Sequence, residues 1–168
     1  ISNCVADDCH GHGWTFTDTT PTSFKGMQIM NCWSGSNGMD VSGGGADQWS
    51  DAAGFVFHDI TNPSMATNLQ SRGNANDGIV LDGCQNITLI NPIAYGNGNL
   101  IANKNGIEFY DTKYCQIIGG SSQNNDNGVR EGESGFNHTI YNNFTNVDVR
   151  NNAMSNMVLL GEGTRVLN

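Results

Sequence analysis

The sequence predicts an all-β solenoid, a single-stranded parallel β-helix of about six coils, and three observations predict it. An apolar residue sits two positions before an Asn, or a residue standing in for it, in six units: Ile1-Asn3, Ile29-Asn31, Ile60-Asn62, Leu89-Asn91, Ile117-Gly119 and Val149-Asn151. The anchors lie 28, 31, 29, 28 and 32 residues apart, and a period in the range of about 20–50 residues marks a repeat architecture. Short alternating runs bounded by Gly, Asn, Asp and Ser follow the anchors, which is the strand period with turn punctuation. No stretch carries an apolar stripe at helical spacing, and the recurrent leucine framework of leucine-rich repeats is missing.

The elements can be justified coil by coil. Strands opening on Gly are expected at Gly13-Trp14-Thr15-Phe16, Gly38-Met39-Asp40-Val41, Gly78-Ile79-Val80-Leu81, Gly106-Ile107-Glu108-Phe109 and Gly128-Val129-Arg130, with Met157-Val158-Leu159 in the last coil. The residue after each Gly must point inward, because Trp14, Met39, Ile79, Ile107 and Val129 hold those places. Ile29, Ile60, Leu89, Ile117 and Val149 are expected in one buried column. Asn suits the corners, since it tolerates left-handed geometry. Equivalent amides can also hydrogen-bond along the stack, with Asn74, Asn97, Asn124 and Asn151 as the expected rungs.

Alternation then places a column Thr15, Asp40, Val80, Glu108, Arg130 and Val158 outside, and a second column Thr17, Ser42, Asp82 and Tyr110 beside it. Both converge on the middle coils with Asp82, Glu108, Tyr110, Arg130 and Glu131. With coils about 4.8 Å apart, Asp82 and Glu108 are diagonal neighbours about 8 Å apart. Two carboxyls roughly 6.5–9.5 Å apart suit an inverting glycosidase, one as acid and one activating water. Arg130 can orient a uronate carboxylate, with Tyr110 as proton carrier in a β-elimination and Glu131 as a further substrate contact. The plainer alternative is a solvated wall with a Glu108–Arg130 cross-strand pair.

Asp7, Asp8, His10 and His12 form a second cluster at a turn. It is a candidate for a divalent metal or an acid–base pair, against the plainer reading of a polar turn. No cofactor is expected. Insertions are expected near 43–54 and 131–142, within one domain spanning 1–168, and solenoid insertions often lie on a binding face. The first carries Trp49, a candidate for stacking on a sugar ring or for folding back over the core.

Only 14% of the residues are charged, 22 are Gly, and the net charge is −9. An acidic surface argues against nucleic acid and anionic membrane as partners. No apolar run reaches the length of a membrane span. Five cysteines, an odd number with no Cys-x-x-Cys pair, read as small residues in the core rather than a disulfide framework or a zinc site. Ile1 already occupies a strand position and Val166-Leu167-Asn168 reads as the opening of another strand, so the chain is expected to be a piece of a longer protein.

The stretch Asp77-Gly78-Ile79-Val80-Leu81-Asp82-Gly83-Cys84-Gln85-Asn86-Ile87-Thr88-Leu89 resembles the generic repeat of the pectin-lyase-like superfamily of right-handed β-helices. The resemblance extends over nearly the whole chain. It implies a right-handed helix outside the cell or on a virion surface, acting on an extended polysaccharide. The motif of uronate epimerases and the arginine signature of pectate lyases are both missing. What remains resembles a phage tailspike or secreted depolymerase, hydrolase or lyase, and a tailspike would imply a homotrimer. The alternative is a carbohydrate-binding adhesin or a structural segment of a fibre.

Overall fold

A computed structural model describes residues 1–9, 11–18, 26–38, 52–98, 104–134 and 138–167. Its 18 strands form three six-stranded sheets, paired throughout in parallel, with no helix among the described residues. Sheet 1 contains β1 (Val5–Asp7), β4 (Trp33–Gly35), β7 (Gln70–Arg72), β10 (Ile93–Tyr95), β13 (Ser121–Gln123) and β16 (Asp148–Arg150). Sheet 2 contains β2 (Trp14–Thr17), β5 (Phe55–His58), β8 (Ile79–Asp82), β11 (Asn105–Tyr110), β14 (Asn127–Gly132) and β17 (Ser155–Val158). Sheet 3 contains β3 (Gln28–Met30), β6 (Ser64–Thr67), β9 (Ile87–Ile90), β12 (Gln116–Ile118), β15 (Asn143–Thr145) and β18 (Arg165–Leu167). Each strand pairs with the one three further along, so one coil of a parallel β-helix supplies one strand to every sheet.

The strands are short because left-handed residues turn the chain at fixed places. Asn3, Asn31, Asn68, Asn91, Gly119 and Asn146 turn it from sheet 3 into sheet 1, with φ between 50° and 67°. Asp8, Ser36, Gly73, Gly96, Asn124 and Asn151 do the same after sheet 1. A left-handed residue costs roughly 1–2 kcal/mol unless it is Gly or a short polar residue such as Asn or Asp, which is why these types recur at the corners.

Asn has a second use that the sequence does not separate from the first. One residue past each corner after sheet 1, the buried amides of Asn37, Asn74, Asn97 and Asn125 run through the stack to the partly exposed Asn152. The Nδ2 of Asn37 donates to Oδ1 of Asn74 at 2.8 Å, Asn74 to Asn97 at 2.8 Å, Asn97 to Asn125 at 3.1 Å and Asn125 to Asn152 at 3.3 Å. Asn74 and Asn97 are the expected rungs, whereas Asn124 and Asn151 are corner residues beside the true ones. The rungs also explain the Gly-led strands. A Cβ on Gly106 would stand 2.0 Å from the Ser122 hydroxyl and 2.4 Å from the Asn125 amide, so only Gly lets β11 pass the ladder.

The spacing of rungs shows that the coils are unequal: 37 residues from Asn37 to Asn74, 23 to Asn97, 28 to Asn125 and 27 to Asn152. A near-constant period therefore picks two wrong anchors. Ile29, Leu89 and Ile117 do share a column, completed by Ala66 and Phe144. Ile60 is buried in the bend after β5, and Val149 lies in β16 on another sheet. The second coil's strand in sheet 2 is β5; of the strand expected at Gly38–Val41 only Gly38 is described, and Met39, Asp40, Val41 and Ser42 lie outside the described residues. The core is a narrow row in which Phe55, Phe57, Ile79, Leu81, Ile107 and Phe109 face Ile29, Leu89, Ile117 and Phe144.

Candidate functional site

The register of sheet 2 sets its outer face. One column runs Thr15, Val56, Val80, Glu108, Arg130 and Val158; the next runs Thr17, His58, Asp82, Tyr110 and Gly132. Asp82, Glu108, Tyr110 and Arg130 thus share one face, on three adjacent strands. Tyr110 is the lateral neighbour of Asp82, and Glu108 that of Val80, so the two carboxylates are diagonal, as the spacing predicts.

Glu108 is the unusual group. Its side chain is 17% exposed, and its carboxyl is pushed up to about 7. Burial is the main cause, followed by the negative charge of Asp77; Arg130 and Lys104 pull the other way. Arg130 Nη1 stands 4.0 Å from Glu108 Oε1, too far for a strong charge-assisted hydrogen bond. Asp77 is itself buried, accepts a hydrogen bond from the backbone N–H of Asn105 at 2.5 Å, and is also raised by burial. Tyr110 can lie beside Glu108 because the next residue in its column is Gly132. A Cβ there would come within 2.8 Å of the tyrosine ring and 3.7 Å of Glu108 Oε1.

His58 is a site residue that the expected register missed. Its Nδ1 lies 3.0 Å from Asp82 Oδ2 and its Nε2 lies 3.2 Å from Asp59 Oδ2. The imidazole therefore bridges two carboxylates and fixes the orientation of Asp82. The signal was present in Gly54-Phe55-Val56-Phe57-His58, which repeats the pattern of Gly78 to Asp82.

Glu131 is a correction. Expected on the outer face, it is fully buried, because the alternation that turns Arg130 out turns Glu131 in, to the place Phe109 holds one coil earlier. Its oxygens accept hydrogen bonds from Asn142 Nδ2 at 2.9 Å, Thr164 Oγ1 at 2.7 Å, Leu160 N at 3.1 Å and Gly161 N at 2.9 Å. It clamps the last coil to the helix and cannot reach a substrate on the wall.

Trp49 and His10 lie outside the described residues. Asp7 ends β1 and Asp8 turns the next corner, both exposed. His12 Nδ1 accepts a hydrogen bond from the Ala53 amide at 3.2 Å, a contact that holds adjacent coils together. Among the described residues no group of three or more His, Cys, Asp or Glu side chains is placed to hold a metal ion. All five cysteines are free thiols, and burial pushes Cys84 and Cys115 up to about 12, which leaves them unreactive.

A concavity of about 550 Å³ runs along sheet 1 and another of about 430 Å³ lies by Lys113, His138 and Glu162; neither includes Asp82, Glu108 or Arg130. No family model matches the chain, and neither a curated protein nor a solved structure does.

Proposed function

We propose that this protein is a polysaccharide-cleaving β-helix of the pectin-lyase-like kind, right-handed, working outside the cell or on a virion surface. The observation that supports this most is the pairing, on one rigid face, of a carboxyl raised to about 7 with a second carboxylate diagonal to it. A carboxyl that burial keeps protonated to near neutral pH is suited to act as a general acid. Glu108 retains its proton up to near neutral pH and delivers it to the glycosidic oxygen as the C–O bond breaks. Asp82, oriented by His58, takes a proton from the water whose oxygen attacks the anomeric carbon. One water is consumed and a reducing end of inverted configuration forms. Arg130 and Tyr110 hold the chain across the strands.

The test is release of reducing ends from a panel of bacterial capsular polysaccharides. Glu108→Gln and Asp82→Asn should each lower the rate 100-fold or more while binding persists, the scale of lost general acid–base catalysis. Wild-type rates in both variants would remove these residues from the mechanism. A second reading, binding without cleavage as in an adhesin or fibre segment, is favoured by one observation. The 550 Å³ concavity lies on sheet 1 rather than over the two carboxylates. Retention of glycan with no new reducing ends from any polymer would decide for it.

A further inference from the structure

We propose that the trough along sheet 1 is a second, non-catalytic binding site for a neutral, linear glycan lying parallel to the helix axis. Its lining passes from Trp33 through Gln70, Ile93 and Ser121 to Asp148, first positions of five consecutive sheet 1 strands. Four coil steps make it about 19 Å long, the length of a few sugar residues.

The floor at one end is aromatic. A Cβ on Gly35 would stand 2.5 Å and 2.7 Å from the Trp33 ring carbons Cζ2 and Cη2. The benzene edge of the half-buried indole therefore packs over the Gly35 backbone, and Trp33 lines this end of the trough. A flat indole packs against the C–H face of a pyranose, as an exposed aromatic with one wet side does.

The wall is a row of amides. Asn31 Nδ2 donates to Asn3 Oδ1 at 3.3 Å, and Asn68 Nδ2 donates to Asn31 Oδ1 at 3.0 Å. An amide has two N–H donors and two acceptor lone pairs, so Asn31 uses one of each in the ladder and keeps one of each to offer. Asn91 continues the row at the next coil. Amides repeated over the three coils of Asn31, Asn68 and Asn91 match a polymer that repeats its hydroxyls, each of which both donates and accepts.

Charge selects the class of polymer. No Lys or Arg lines the trough, and its one carboxylate, Asp148, accepts from Gln123 Nε2 at 2.9 Å and meets Arg150 Nη2 at 3.0 Å. In a chain of net charge −9 such a surface repels a polyuronate and accepts an uncharged chain. The site is independent of the chemistry on sheet 2, so the two can fail separately.

Calorimetric titration of the whole chain with cellotetraose, xylotetraose and mannotetraose as neutral probes, and tetragalacturonate as an anionic one, tests the proposal. At least one neutral tetramer should bind, with an affinity unchanged between low and high salt. Trp33→Ala should weaken it tenfold or more, and Gln70→Ala, at a half-buried surface position, should weaken it several-fold without threatening the fold. Glu108→Gln should bind like the wild type. The proposal is overturned if no neutral tetramer binds, if tetragalacturonate binds more tightly than all three, or if both trough variants bind unchanged.

Discussion

Glu108 carries the strongest consequence of any single residue. Its carboxyl moves from an ordinary 4.5 to about 7 because burial and Asp77 disfavour its charge. A raised native value means that the folded protein holds the proton more tightly than the unfolded chain does. The resulting stability is complete below about pH 4.5 and is lost as pH rises through 7. At 1.36 kcal/mol per unit, the loss is on the order of 3 kcal/mol, shared in part with Asp77, whose charge is linked to it. Urea midpoints should therefore fall more steeply between pH 5 and 8 in the wild type than in Glu108→Gln. Parallel slopes would show that Glu108 titrates as an ordinary surface acid. Period-two alternation alone made Asp82, Glu108, Tyr110 and Arg130 legible as neighbours. It gave no access to the burial of Glu108, or to the charges of Asp77 and Lys104 that act on it from outside the strand. Glu131 was misread for a plainer reason: a charged residue beside an outward Arg looks solvated, yet strict alternation already assigned it inward.

At the scale of the element, the ladder and the corner make different demands on the same residue type. Asn97 donates to Asn125 and accepts from both the side chain and the backbone of Asn74, all out of water. Asn97→Ala leaves those partners without hydrogen bonds in the interior and should cost about 2–4 kcal/mol, since each orphaned buried group costs about 1–3. Asn124 only turns the corner at φ 56°. Asn124→Gly should be nearly neutral, and Asn124→Ala should cost about 1 kcal/mol. Chemical denaturation of the three variants checks this ordering, and a small loss at Asn97 would refute the buried ladder. Glu131 works on the same principle: Glu131→Ala leaves the buried Asn142 side chain and the donors of the last coil without their acceptor and should cost about 2–4 kcal/mol, since each orphaned buried group costs about 1–3. A loss of glycan affinity without loss of stability would instead return Glu131 to the binding face. The sequence could not separate rung from corner because Asn124-Asn125 and Asn151-Asn152 are doublets, one residue doing each job. Chain direction gives the order, with the left-handed corner first and the buried amide second.

For the whole molecule, the period of the anchors was enough to reach the architecture, because each coil must bury its apolar strands against its neighbours. It was not enough for the register, because one coil of 37 residues between rungs and one of 23 average to an unremarkable repeat. The same geometry sets how the molecule fails. A solenoid is stabilised by contacts between nearest coils, and here the core is a single narrow row, so no second layer can absorb a defect. Ile107 is fully buried in a middle coil, between Ile79 and Val129. Ile107→Asp puts an unpaired charge there with no solvent to reach, and it loosens both neighbouring coils at once. The expected loss exceeds about 4 kcal/mol, at the severe end for a single substitution. Val5, 67% exposed on β1, is the matched control, and Val5→Asp should stay within about 0.5 kcal/mol. Urea midpoints of the two variants, read beside hydrogen exchange of the sheet 2 amides, make the comparison. If Ile107→Asp lowered the midpoint no more than Val5→Asp, the core would not be the continuous row that the register of sheet 2 requires.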